Sequence, residues 1–275
     1  MGSDIDMRLA WDRISARYQA RAQLSTGAAH YGPWAPDEND LRLLGDVRGR
    51  RILELGCGGG QCSIAFARQG ATVVGMDLSG RQLAFARGLA ARDGVAVRWE
   101  QGDIADLSRF ADGSFDVVFS AYAFQYVGPI ERCLAGVSRV LRRPDGGAQV
   151  PGGQFVFSLD HPFRDCFWDE DRDEESMQPA RSYFLRGAME WKFGPLPAVD
   201  DERDQQPGSP WMRSYHRTVG DWVALLHGVG LQVERLLEPE PVLTAEEETA
   251  WAGSYDLEVA RLIPQTIIFA TRQRL

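Results

Sequence analysis

The stretch RILELGCGGGQ, residues 51–61, decides the fold. Residues 51–55 form a short apolar run of strand length. Residues 56–60 make a glycine turn, and residues 61–69 (QCSIAFARQ) read as a helix. A strand that feeds a helix through glycines is the first half of a βαβ unit. Glycines there let the chain turn tightly and let a ligand come close to the backbone. A dinucleotide fingerprint, G-x-G-x-x-G, counted from Gly56 would need a glycine where Gln61 stands. Glu54, at the strand end, would repel a pyrophosphate and suits a ligand with a cationic head group.

The same alternation continues outward. Residues 72–76 (TVVGM) predict a second strand. Ser79 and Gln82 then form an S-x-x-Q capping box, opening a helix to about residue 91. Val95, Val97 and Trp99 alternate as a third strand, and 115–120 (FDVVFS) read as a fourth. Pro129 suits the first turn of a helix whose buried face carries Cys133, Val137, Val140 and Leu141. Residues 154–159 (QFVFSL) give a fifth strand. Strands separated by helices in this way predict a doubly wound, mostly parallel α/β sheet, Rossmann-like, with both faces covered. Thr218 and Asp221 cap a helix from 219 to about 228. Residues 231–237 and 265–271 predict two final strands paired antiparallel, for about seven in all, the last antiparallel.

At this point the motifs resemble those of the class I S-adenosylmethionine-dependent methyltransferases. The family's first motif, E-x-G-x-G-x-G, stands here as Glu54, Gly56, Gly58 and Gly60. Its acidic residue closing the second strand is Asp77, in VVGMDLSGRQL, where a carboxylate accepts both ribose hydroxyls. Gly102-Asp103-Ile104 corresponds to the segment beside the adenine. FDVVFS, ending at Ser120, matches the fourth strand. SRVLRRPDGG followed by QFVFS resembles the R-V-L-x-P-G-G turn before strand five, with extra residues between Gly147 and the strand. The resemblance covers residues 50–160 and implies S-adenosylmethionine as cofactor, a molecule with an ammonium and a sulfonium and no phosphate. It places Glu54, Gly56, Cys57, Gly58, Gly60, Gln61, Asp77, Leu78, Gln82, Asp103, Ile104 and Ser120 on the cofactor side. Plainer roles compete: a buried structural acid for Glu54, a helix cap for Gln61 or Asp77, a turn residue for Asp103.

The remaining segments frame this core, taken as 50–160. Residues 1–49 read as an N-terminal helical lid. Met7, Trp11, Ile14 and Tyr18 share one face of a helix over 5–22, and HYGPWAPDEND forms a loop before a short helix around 40–44. Tyr18 and Tyr31 are candidates for cofactor contacts, with core packing as the competing role. Residues 161–214 carry acidic runs, prolines and scattered aromatics, and read as an inserted cap suited to a hydrophobic or ring-bearing substrate. Residues 215–275 complete the sheet. RRPDGGAQVPGGQ, between the fourth helix and the fifth strand, reads as an extended turn.

Three of the four histidines are candidates for a general base or substrate ligand. His161 follows strand five, where open α/β sheets bind their ligands. His216 precedes a helix, and His30 lies in the lid loop. Loop or structural roles compete for each, and His227 reads as structural. The four cysteines show no zinc spacing, so no metal site is expected and they read as reduced packing residues. The net charge of −9 argues against nucleic acid as partner. No run approaches the roughly 18 apolar residues of a membrane span. A cytoplasmic enzyme with a small-molecule acceptor is the expectation. Competing readings are a cofactor-binding protein that catalyses a rearrangement or senses the cofactor, and a nicotinamide oxidoreductase, which Glu54 and Gln61 disfavour.

Overall fold

The computed structural model describes residues 5–145, 150–169, 174–194, 210–242 and 257–274. Seven strands form the central sheet: β1 (Arg51–Leu55), β2 (Thr72–Asp77), β3 (Arg98–Gln101), β4 (Val117–Ala121), β5 (Gln154–Asp160), β10 (Leu231–Leu237) and β11 (Thr266–Gln273). Their order is β10-β11-β5-β4-β1-β2-β3. The pairs among β1 to β5 are parallel, and β11 runs antiparallel to both β5 and β10. This is the doubly wound sheet that the alternation predicts.

Side chains alternate along each strand, and both faces are buried. Leu53, Val118, Phe155, Phe157 and Phe269 belong to one apolar core with Trp222 and Leu226. Ile52, Phe119, Val156 and Ile268 belong to the other with Cys62 and Phe66. Helices α3 (Gln61–Arg68), α4 (Gly80–Asp93), α5 (Ile130–Val140) and α6 (Val219–Gly228) cover the faces, preceded in the chain by α1 (Met7–Ala22) and the short α2 (Glu38–Leu41). Thr218 and Asp221 make the reciprocal capping box of α6. At α4 only half a box forms. Ser79 Oγ accepts from the Gln82 N–H, but the Gln82 side chain accepts from Gln19 of α1 instead.

Several boundaries depart from the sequence reading. β3 begins at Arg98, because its pairing with β2 starts at Val74 opposite Arg98, so Val95 and Val97 lie outside it. The predicted helix at 40–44 sits at Glu38–Leu41, where the Asp37 side chain accepts from the Asn39 N–H. The loop before β5 closes on itself through a bridge between Asp145 and Val150, and 146–149 lie outside the described residues. Between β5 and α6 the aromatic scatter resolves into two small sheets. One pairs β6 (Trp168–Asp169) with β7 (Glu174–Glu175), the other β8 (Gly187–Lys192) with β9 (Trp211–His216). The boundary drawn at 214 falls inside β9. Most of both acidic runs lies outside the described residues.

Candidate functional site

The carboxyl ends of β1, β2, β4 and β5 open into one cavity of about 730 Å³. That is the position a doubly wound sheet offers a ligand. Its floor is the glycine turn. Gly58 has φ of 51°, and a Cβ there would meet no atom within 4 Å. The turn thus leaves an open approach to its backbone.

Asp77 ends β2 and lines the cavity. Its Oδ2 accepts from the Gly58 N–H and its Oδ1 from the Ser79 N–H, both at 2.8 Å. Each oxygen keeps a lone pair for a further donor. Burial pushes its carboxyl up to about 6, against the pull of these two N–H groups. Leu78, Gln82, Asp103 and Ile104 continue the wall. Asp103 Oδ1 accepts from the Ala105 N–H at 2.8 Å.

α1 lies over this end. Asp12 Oδ1 accepts from Ser79 Oγ at 2.6 Å. A relay of three amides ties the helices together. Gln61 Nε2 donates to Gln19 Oε1 (2.7 Å), and Gln19 Nε2 donates to Gln82 Oε1 (2.8 Å). The Gln19 amide occupies the space that a Cβ on Gly59 would need.

The far end of the cavity is aromatic. Trp11 meets Tyr18, Tyr126 and Phe193 edge to face, with centroids 5.7, 5.5 and 5.8 Å away. Trp191 lies 5.6 Å from Phe193. Tyr122 and Asp160 complete the wall between the two ends. The Asp160 carboxylate is held by Arg164 at 3.1 Å.

Of the three candidate histidines, only His30 lines the cavity. Its Nδ1 is buried and meets no partner among the described residues, which leaves Nε2 as the ring nitrogen that can meet a ligand. Burial pulls its pKa down to about 4, so the imidazole is neutral. His161 and His216 are turned away and engaged. His161 Nδ1 accepts from the Phe163 N–H (3.0 Å), and Nε2 faces Glu238 (2.8 Å). His216 Nε2 donates to the Tyr183 carbonyl (2.9 Å), and Nδ1 faces Asp165 (2.7 Å). Burial pulls His216 down, but the Asp165 carboxylate overrides it and holds the ring above its ordinary pKa.

Other candidates divide in the same way. Gly56, Gly58 and Tyr18 line the cavity; Glu54, Cys57, Gly60, Gln61, Ser120 and Tyr31 do not. Tyr31 is fully buried against Phe119 and donates to Glu38. Ser120 Oγ donates to the Leu55 carbonyl (2.7 Å). The sequence reading passed over Trp11 and Gln19 as site residues, and also Tyr122 and Tyr126. The last two follow β4 in SAYAFQYV, so the carboxyl-end rule applied there would have found them.

Glu54 is buried behind the turn, where its carboxyl is paired with Ser63 Oγ. Burial pushes it up to about 8, so it is protonated at neutral pH. The folded chain therefore keeps a proton that the unfolded chain releases above its ordinary carboxyl pKa of about 4.3. This contribution is complete below that value and is lost as pH rises through about 8. The slope reaches about 1.4 kcal/mol per pH unit. Glu54→Gln should gain stability relative to wild type between about pH 5 and about pH 8 in urea unfolding. Equal pH slopes for the two proteins would contradict this.

Comparison with known proteins gives a consistent result. A model of a methyltransferase domain matches residues 52–146. An uncharacterized methyltransferase of Synechocystis is 36% identical over 131 residues, covering 46% of this chain and 56% of the relative. A ubiquinone biosynthesis O-methyltransferase of Alkalilimnicola ehrlichii is 34% identical over 128 residues, covering 44% of this chain and 49% of the relative. This chain thus spans about half the length of those two curated relatives. The crystal structure of an S-adenosylmethionine-dependent methyltransferase from Mesorhizobium loti superposes with a TM-score of 0.61 at 28% identity, covering 86% of this chain and 96% of that one. With the glycine turn, the Asp77 carboxylate and the strand order in place, the chain carries a methyltransferase domain over residues 52–146 and is similar in sequence and fold to the class I S-adenosylmethionine-dependent methyltransferases.

Proposed function

We propose that this protein transfers a methyl group from S-adenosylmethionine to a ring-bearing small molecule. One observation carries the reading: a single cavity runs from Asp77 and Gly58 to Trp11, Tyr126, Trp191 and Phe193, with His30 on its wall. The residues present fit the cofactor. Asp77, with lone pairs free on both oxygens, would accept the two ribose hydroxyls. Leu78 and Ile104 would flank the adenine, with Asp103 beside it, and the open backbone at Gly58 would admit the methionine part.

When bound, S-adenosylmethionine supplies an activated methyl on a sulfonium. The protein's share is alignment, exclusion of water and management of one proton. The aromatic wall stacks an acceptor ring, and each well-placed aromatic contact contributes about 0.5–1.5 kcal/mol beyond burial. α1 covers both ends of the cavity, since Gln19 lies on the glycine turn while Trp11 and Tyr18 line the aromatic end. Holding both reactants under one helix favours the reactive geometry and keeps water out. His30 Nε2 takes the proton that the acceptor loses.

The test is incubation of purified protein with labelled S-adenosylmethionine and a panel of aromatic and aliphatic hydroxyl and amine acceptors. The expected result is label transferred to a ring-bearing member, with S-adenosylhomocysteine formed in equal amount. Tight cofactor binding with no product from any acceptor would count against methyl transfer and for a non-methylating role of the same site.

A further inference from the structure

We infer that Tyr122 is a positioning residue, a spacer that seats the His30 loop against the cavity at a set distance from the glycine turn. The geometry is independent of the proposed function; its catalytic meaning rests on the role proposed for His30.

Tyr122 follows directly on β4 and adopts φ of 57°, a left-handed conformation that a bulky side chain rarely takes. Such a conformation persists where the surroundings enforce it, and it concentrates at functional sites. Three contacts enforce it here. The Tyr122 N–H donates to the Ser158 carbonyl at 2.9 Å. Its hydroxyl lies 2.5 Å from Thr266 Oγ1. Its ring packs on Gly32, two residues from His30.

The Gly32 contact is tight. Gly32 has φ of 122°, and a Cβ there would fall 1.9 Å from Tyr122 Cε2. Only glycine leaves room for the ring. The hydroxyl reaches the same loop a second time, because Thr266 Oγ1 in turn donates to the Pro33 carbonyl at 3.5 Å. Ala123, the next residue, presses on the other loop: a Cβ on Gly56 would lie 2.3 Å from the Ala123 Cβ. The Tyr122-Ala123 pair therefore touches the His30 loop on one side and the glycine turn on the other. It fixes the spacing between the candidate base and the site proposed for the methyl donor.

His30 also depends on this seating for its burial. Among the described residues, Cys62 meets the same loop, its thiol donating to the His30 carbonyl at 3.8 Å. Burial holds both the Cys62 thiol and the Tyr122 phenol far above neutrality, so neither is charged. Nothing but burial keeps the His30 ring neutral.

The experiment is nitrogen-15 NMR of the imidazoles in wild type, Tyr122→Gly and Tyr122→Phe. Four histidines are few enough to assign. Glycine accepts the positive φ, so Tyr122→Gly removes the ring without straining the backbone. In wild type His30 should stay neutral down to about 4. In Tyr122→Gly its titration should move up toward the ordinary imidazole value of about 6.5 as water reaches the ring. Tyr122→Phe, which keeps the ring, should restore the wild-type curve, and His161 and His216 should titrate alike in all three. An unchanged His30 curve in Tyr122→Gly overturns the inference. So does an equal shift of all the histidines, which would mean general loosening. The two readings fail separately: wild type that binds no S-adenosylmethionine overturns the proposed function and leaves this NMR result unaffected.

Discussion

His30→Ala is expected to slow methyl transfer about 100-fold while leaving S-adenosylmethionine affinity within about twofold of wild type. A positioned general base contributes about 10²–10⁴-fold. The lower end applies here, because burial leaves His30 a weak base with a pKa of about 4. Among the described residues neither ring nitrogen has an orienting carboxylate, unlike His161 and His216, which have one each but lie outside the cavity. The pH dependence follows with the same sign. The neutral ring is the active form, so the rate should hold steady above about pH 5 and fall as pH drops through about 4. Single-turnover rates with an accepted ring-bearing substrate check both points. A rate unchanged in His30→Ala would remove the base from the account, and an acid limb near the ordinary imidazole value would remove its burial.

Asp77→Ala is expected to weaken S-adenosylmethionine binding about 100-fold or more. Hydrogen bonds to a charged group contribute about 1.5–3 kcal/mol each, and two ribose hydroxyls would be lost together. At about 1.4 kcal/mol per decade, that is a factor of 10² to 10⁴. Part of the loss would come through the turn, since Asp77 Oδ2 also holds the Gly58 N–H. Asp77→Asn separates the two contributions by keeping one carbonyl oxygen in place. Protonation gives a second check. With the carboxyl pushed up to about 6, wild-type affinity should fall as pH drops through that value, and the Asp77→Asn variant should lack the dependence. Calorimetric titrations at several pH values measure both.

The sheet was legible because its signals are local. Apolar runs of strand length, the glycine turn and the Thr218–Asp221 box all act within a few residues. β3 was misplaced because an edge strand is defined by its partner, and the Val95–Val97 alternation finds no partner in β2. Strand ends carry Asp77, Leu78, Asp103 and Ile104 to the cavity wall, so their placement was equally legible. The placement of the histidines was less so. His161 does follow β5, but its ring turns to Glu238, just past β10, and β11 separates those two strands in the sheet. No periodicity within the chain announces that contact. Gln82 shows the same limit. Its capping spacing is correct, yet Gln19, far away in sequence, takes its side chain. Trp191 and Phe193 read as part of a scatter until the fold sets Phe193 beside Trp11 and Trp191 beside Phe193 and Tyr126.

Titration of the purified wild-type protein with S-adenosylmethionine and, separately, with NADH decides which ligand the cavity takes. S-adenosylmethionine is expected to bind with micromolar affinity and NADH not at all. Binding of NADH, with none of S-adenosylmethionine by well-folded protein, would contradict this expectation.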